Sequence, residues 1–136
     1  MTKAEFMEYL TNGICGIFST VREDGMPEAR GWQFQYEENG RYYFATANTK
    51  EVFAQLQATP KAAFTYMEPS GKYTLRLTGD VGFVKDAEQK KIAWEGMAPP
   101  VKGKYKTWDN PTLEIIYIEN AQLKFEKGYK DTEKVL

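Results

Sequence analysis

Histidine is missing from the 136-residue chain, and cysteine occurs once. Without histidine the chain lacks the commonest metal ligand and proton shuttle, which excludes a Cys/His zinc site, a His-ligated haem and a catalytic triad that contains histidine. The lone Cys15 cannot close an intrachain disulfide, and its apolar strand indicates a buried, inert thiol. We therefore expect a reducing, cytoplasmic location and no metal site.

Long hydrophobic runs and an excess of one charge are also missing. The apolar stretches extend over about five or six residues, far short of the ~20 that a membrane span requires. Eighteen basic and nineteen acidic residues give a net charge of -1, so the chain lacks the positive field of a nucleic-acid binder. We expect neither membrane insertion nor nucleic-acid binding. Hydrophobic residues make up 42% of the chain, enough for the core of one domain over residues 1–136.

The sequence pattern is dominated by short predicted strands separated by turns. Residues 14–21 and 28–36 predict a hairpin, and 41–45, after the Asn39-Gly40 pair, predict a third strand of the same meander. The other segments show either the two-residue alternation of strands or the helical spacing of apolar residues. They predict strands over 61–67, 72–84, 112–118 and 122–126. They also predict helices near the start, over 50–58 and over 86–97. Gly79 and Gly82 indicate a bulge in the long strand. The tail from about residue 127 is expected to be frayed.

This order of elements favours a mainly β fold, a β-barrel with peripheral helices. Several strands, such as 112–118, carry apolar residues on both faces and need a second cover. A symmetric partner chain is the usual cover, so we expect a homodimer.

The polar segment Thr46 to Lys50 is the main candidate for chemistry. Antiparallel strands bring it close to Arg30-Gly31-Trp32-Gln33. The side chains of Thr46, Asn48 and Thr49, the free N–H groups of a helix N-terminus and the Lys50 ammonium together predict a phosphate cradle. The alternative is an ordinary helix start, with Asn48 as the N-cap and Lys50 in solvent.

Four runs of the sequence resemble one known family. They are MPEARGWQF, RYYFATANTKEVFAQLQATPKAAFTY, YTLRLTGDVGFV and NPTLEIIYIENAQLKF, which together extend over most of residues 14–125. Their order and spacing are similar to those of the pyridoxamine 5'-phosphate oxidase-like, FMN-binding split-barrel family. The resemblance implies a six-stranded antiparallel split barrel, a homodimer and an FMN in each cleft between the subunits.

The resemblance also implies which residues contact the cofactor. The residues that would line the flavin ring are Arg30, Gly31, Trp32 and Gln33. Thr46 would lie beside the ring or ribityl chain, and Arg76 would assist from the same sheet. Asn48, Thr49 and Lys50 would bind the phosphate end, and Trp108 would cover the ring from the partner subunit.

The chain also departs from the family. Gln35 stands where the larger oxidases commonly have a basic residue, and the tail lacks the Arg and His that hold a substrate phosphate, so pyridoxamine phosphate oxidation is not expected.

These features predict an FMN-dependent oxidoreductase that takes electrons from NAD(P)H or another donor and acts on a small organic substrate. No catalytic side chain is assigned, because hydride transfer takes place on the flavin itself. Two alternatives stay open: a non-catalytic flavin-binding module for storage or sensing, and a deazaflavin-dependent reductase. The basic run 102–106 is interpreted as a flexible surface loop, with contact to a phosphate or a dinucleotide donor as the alternative.

Overall fold

The computed structural model describes residues 1–136, which form four helices and eight strands in one antiparallel sheet. The helices are α1 (Lys3–Tyr9), α2 (Glu51–Ala58), α3 (Ala87–Glu95) and α4 (Pro99–Tyr105). The strands are β1 (Cys15–Val21), β2 (Pro27–Gln33), β3 (Tyr36–Glu38), β4 (Arg41–Ala47), β5 (Lys61–Met67), β6 (Tyr73–Phe83), β7 (Leu113–Lys127) and β8 (Thr132–Lys134). The predicted class, mainly β with peripheral helices, is confirmed, with two strands more than the expected six.

The strands follow the order β2-β1-β5-β6-β7-β4-β3, and β8 pairs with β7. The predicted hairpin of β1 and β2 is confirmed. The predicted three-stranded meander is wrong, because β4 pairs with β3 and β7 instead of β2. The chain changes partner after β2: the Phe34 amide still bonds the Ile14 carbonyl, whereas the Gln35 amide bonds that of Tyr43.

Aromatic side chains fill the barrel. Phe18, Phe34, Phe44 and Phe64 are fully or almost fully buried, and neighbouring rings among them lie 4.9 to 6.3 Å apart. Burial of each such side chain contributes roughly 1.5–3 kcal/mol, more than one surface contact can supply. Phe18, Phe44 and Phe64 fix which face of β1, β4 and β5 points inward, and Phe34 lies directly after β2.

A second cluster lies on the other face of β7. Ile116 and Ile118 point into the barrel, whereas Leu113 and Ile115 pack under α3 and α4 in a cluster with Ala45, Ala47, Ala93, Trp94, Met97, Val101 and Tyr105. Helices of the same chain therefore cover the second apolar face of this strand. That face no longer argues for a partner chain.

β7 is one strand of fifteen residues where the sequence predicts two. Asn120, the predicted turn, adopts a positive φ of 51° without ending the strand. The register shift opposite it lies between Thr78 and Asp80, as predicted for Gly79. A Cβ at Gly79 would lie 2.5 Å from the Glu119 carbonyl oxygen, so only glycine fits there.

Two other expectations differ from the structure. The tail carries β8, which pairs with β7, and the N-terminal amine forms an ion pair with Glu133. Cys15 is exposed where the sequence predicts burial, because its side chain lies on the outer face of β1. None of the four helices combines the length and the apolar character of a membrane span.

Gly82 lies directly under the ring of Tyr117, where an added Cβ would come within 2.3 Å of the ring. We expect Gly82→Ala to lower the free energy of unfolding by about 1–3 kcal/mol, because the strand and ring must move apart. Urea unfolding followed by circular dichroism measures the change. Gly103→Ala is the control, since nothing lies within 4 Å of its added Cβ. Equal stability of Gly82→Ala and the parent would contradict the packing described here.

Candidate functional site

The barrel closes where β2 meets β4, although these strands stand far apart in the sheet order. The Trp32 indole N–H donates to the Ala45 carbonyl across 2.8 Å, and the Gln35 amide donates to the Tyr43 carbonyl across 3.0 Å. The predicted proximity of the two segments is therefore present where Trp32 meets Ala45, the residue before Thr46. It arises from the curling of the sheet and not from pairing between adjacent strands.

The start of α2 has no side-chain cap. Its N-cap is Lys50, with extended backbone and no capping hydrogen bond. Asn48, the alternative N-cap, instead donates from Nδ2 to the Pro111 carbonyl at 2.7 Å and to Glu114 at 3.0 Å. The interpretation of Asn48 as the N-cap is therefore wrong. The first-turn N–H groups of α2 keep no side-chain acceptor, which is the arrangement that binds anions.

Cationic and hydroxyl side chains surround this helix start. Thr49 and Lys50 are exposed, and none of the seven salt bridges involves Lys50. Partial burial, and then the neighbouring Lys104 ammonium, lower the pKa of Lys50. Thr46 lies four residues before Lys50, near the end of β4, where it is buried and paired in register with Glu114. The site thus combines a helix N-terminus with a Lys50 ammonium that forms no salt bridge.

Arg30 fastens α2 to the edge of the sheet. Its guanidinium donates to Thr20 Oγ1 at 2.8 Å, to the Phe18 carbonyl at 3.2 Å and to Gln55 Oε1 at 3.2 Å. Thr20, which is 2% exposed, donates to the same Gln55 oxygen at 2.6 Å. Burial lowers the pKa of Arg30, and Glu28 opposes that shift. The side chain is engaged within its own chain and fixes the position of α2.

Trp32 and Gln33 also have partners within the chain. Trp32 packs between Phe18 and Phe44 with ring centroids 4.3 and 5.6 Å away, and Gln33 donates to the Gly13 carbonyl at 3.0 Å. Gly31 is exposed on the outer face. β2 stands at the end of the sheet order, so the backbone groups on the edge that faces away from β1 can still bind a ligand.

Arg76 lies apart from the start of α2. It is on the outer face of β6, in the cross-strand row Gly31, Ile17, Thr65, Arg76, about three strand spacings or ~14 Å from Gly31. Its guanidinium forms a salt bridge of 2.8 Å with Glu126. The structure therefore does not bring Arg76 together with the other predicted site residues.

Trp108 lies in the loop after α4, half-buried against the second cluster. That cluster includes Ala45 and Ala47, which flank Thr46, so the indole is on the side of the barrel where β4 ends. The basic run 102–106 is largely helical, not the loop that the sequence predicts.

Three contributing residues were not among the predicted site residues. Thr20 and Gln55 anchor Arg30, and Gln35 is a buried amide that accepts from the Ala98 backbone N–H at 2.7 Å. The polar residues within apolar strands were the available signal for Thr20 and Gln35. The donors at the start of α2 fit a phosphate, and the free edge of β2 fits the polar rim of a flat heterocycle, so the residues present fit a flavin phosphate.

Comparison with known proteins gives a consistent result. A model of the family described as pyridoxamine 5'-phosphate oxidase matches residues 2–125. No curated protein matches the chain.

Solved structures share the fold at low sequence identity. A NimC/NimA family protein from Clostridium acetobutylicum is 23% identical, with a TM-score of 0.79 over 97% of this chain and 90% of that one. From the same organism, a protein related to general stress protein 26, of the pyridoxinephosphate oxidase family, is 14% identical, with a TM-score of 0.78 over 98% and 92%. A pyridoxamine 5'-phosphate oxidase-related, FMN-binding protein from Nostoc punctiforme is 13% identical, with a TM-score of 0.69 over 90% and 86%.

The family model extends over nearly the whole chain, and the solved structures share its overall fold. The chain belongs to the pyridoxamine 5'-phosphate oxidase family.

Proposed function

We propose that this protein binds FMN and acts as an FMN-dependent oxidoreductase on a small organic substrate. The observation that carries the proposal is the uncapped start of α2 with the unpaired Lys50 ammonium. A phosphomonoester carries a charge of roughly -1.5 to -2 near neutral pH and would accept hydrogen bonds from the first-turn N–H groups and from Lys50. The FMN-binding neighbour from Nostoc punctiforme supports the same cofactor.

The protein's own groups would bind and orient the cofactor. Thr49 and Lys50 would hold its phosphate, and the free backbone edge of β2 around Gly31 would face the polar rim of the ring. Arg30 would position α2 through Gln55 instead of lining the ring itself. Bound FMN supplies reversible hydride transfer, so no side chain needs to act as the acid or base.

We propose further that the active form is a homodimer joined through the outer face of β1, β5 and β2. Ile17 is 48% exposed and Met67 58% exposed on this face. Small residues surround them, including Ala29, Gly31 and Ala63, so a second backbone could approach closely. The edge of β2 that faces away from β1, where the flavin ring would lie, borders the same face. The cofactor would therefore lie beside the partner subunit.

Lys50→Ala tests the phosphate contact. We expect FMN affinity to fall about tenfold or more and riboflavin affinity to stay unchanged, because riboflavin lacks the phosphate. Quenching of flavin fluorescence during titration measures both dissociation constants. Lys91→Ala is the charge-matched control, since Lys91 is exposed on α3 and forms no hydrogen bond or salt bridge. Equal weakening of both flavins would remove the role of Lys50, and absence of FMN binding by the parent protein would refute the cofactor.

Ile17→Lys tests the dimer. We expect the parent to elute at about twice 15.6 kDa and the variant as a monomer with weaker FMN binding, because a charge would be buried in the interface. Size-exclusion chromatography with light scattering measures the mass. Ile92→Lys changes an equally prominent isoleucine on α3, 58% exposed, and should remain dimeric. A parent monomer that binds FMN tightly would contradict the arrangement.

Anaerobic mixing of the FMN-loaded protein with NADH or NADPH tests catalysis. We expect the visible flavin absorbance to bleach and to return when an acceptor is added, since the reduced cofactor passes its electrons on. Stopped-flow absorbance measures both phases, with free FMN as the control. If neither donor bleaches the flavin, and no other electron donor tried does so, a storage or sensing module would be favoured. A deazaflavin spectrum in protein purified from its native host would identify the other alternative.

A further inference from the structure

A buried glutamine lies two residues after β2, where the chain leaves β1 and joins β4. Gln35 is 1% exposed, and its backbone N–H donates to the Tyr43 carbonyl at 3.0 Å. The preceding Phe34 N–H donates in the other direction, to the Ile14 carbonyl at 2.8 Å. Backbone groups of successive residues in an extended strand point to opposite sides. The Gln33 carbonyl therefore lies on the open edge of β2, the edge that faces away from β1.

Both ends of the Gln35 side-chain amide are bonded. Its Oε1 accepts from the backbone N–H of Ala98, the N-cap residue of α4, at 2.7 Å. Its Nε2 donates to the Gln33 carbonyl and to Gln33 Oε1, each at 3.3 Å. Gln33 Nε2 in turn donates to the Gly13 carbonyl at 3.0 Å, which fixes that side chain. Gln35 has no free N–H to offer a ligand, so it acts on the site through the groups that it bonds.

The start of α4 packs against the end of β4. Met97 and Val101 are buried in the second cluster, and the same cluster contains Ala45 and Ala47 of β4. The end of β4 is the side of the barrel opening that faces the open edge of β2, as the bond from the Trp32 indole to the Ala45 carbonyl shows. The Gln35 amide therefore joins one side of this opening to the helix that packs against the other side.

We infer that Gln35 is a positioning residue for the flavin ring, because it fixes the distance between the open edge of β2 and the end of β4 and so sets the width available to the ring. The inference rests on the proposed FMN binding and deepens it. A neutral amide supplies an acceptor for the Ala98 N–H and a donor for the Gln33 carbonyl at one position. Neither a carboxylate nor an apolar side chain of the same size supplies both.

Gln35→Met removes both bonds with little change of size. We expect it to weaken FMN and riboflavin by the same factor, about tenfold, because both flavins share the ring that the opening receives. The visible absorption spectrum of the bound flavin should also shift, because the groups around the ring move. Lys50→Ala, in contrast, should spare riboflavin. Gln89→Met is the control, since Gln89 is exposed on α3 and its bond to Asp86 comes from the backbone N–H.

Gln35→Glu separates the two bonds. The carboxylate keeps an acceptor for the Ala98 N–H, but in its ionised form it cannot donate to the Gln33 carbonyl. We expect it also to weaken both flavins equally and to shift the bound spectrum, since the open edge of β2 loses its link to α4. Fluorescence titration gives the dissociation constants, and thermal melting shows that each variant is folded at the temperature of the titration.

A Gln35→Met variant that binds both flavins as the parent does, with the parent spectrum, would overturn the inference and leave FMN binding intact. Weakening of FMN alone would overturn it too, because the residue would then act on the phosphate. Equal weakening with an unchanged bound spectrum would also overturn it, since loss of stability would explain the effect. If Gln35→Met does not fold, Gln35→Glu decides by the same criteria. Failure of the parent to bind either flavin would overturn the inference and the proposed function together.

Discussion

The contact on which the candidate site depends is the hydrogen bond from the Trp32 indole to the Ala45 carbonyl. β2 and β4 are separated by four strands in the sheet, and only the curling of the barrel brings them together. The indole joins their facing edges without a full ladder of backbone hydrogen bonds between them. The barrel is therefore closed at this point by side chains, while the backbone edge of β2 stays free for a ligand. A continuous ladder here would have closed the barrel and removed the site.

Charge is arranged locally and not across the molecule. The net charge of -1 gives no overall attraction for an anion, yet the start of α2 combines a helix dipole with the Lys50 ammonium. The guanidinium of Arg30, which the family resemblance assigns to the flavin ring, donates to Thr20 and Gln55, and these bonds hold α2 against the sheet. In the proposed arrangement, the groups that would touch the cofactor are therefore distinct from those that hold them in place.

Local chemistry made much of the fold predictable. The hairpin of β1 and β2, the bulge at Gly79 and the helix after Lys50 all follow from neighbours in sequence. The partner change at Gln35 does not, because its buried amide accepts from Ala98, 63 residues away. α4 was missed because its two prolines and Gly103 have low helix propensity, although prolines in a first turn sacrifice no helical hydrogen bond. Contacts between distant segments therefore decided what the local pattern left open.

β7 is the last long strand in the chain, and it also forms the ladder that supports β4. Asn48, at the entrance to α2, bonds backbone groups of 111 and 112 just before that strand begins. During synthesis, the segment 46–50 is complete long before the residues that hold it in place leave the ribosome. Its shape must therefore await the arrival of β7, so a cofactor would enter a nearly finished barrel and could not act as a template around which the first strands assemble.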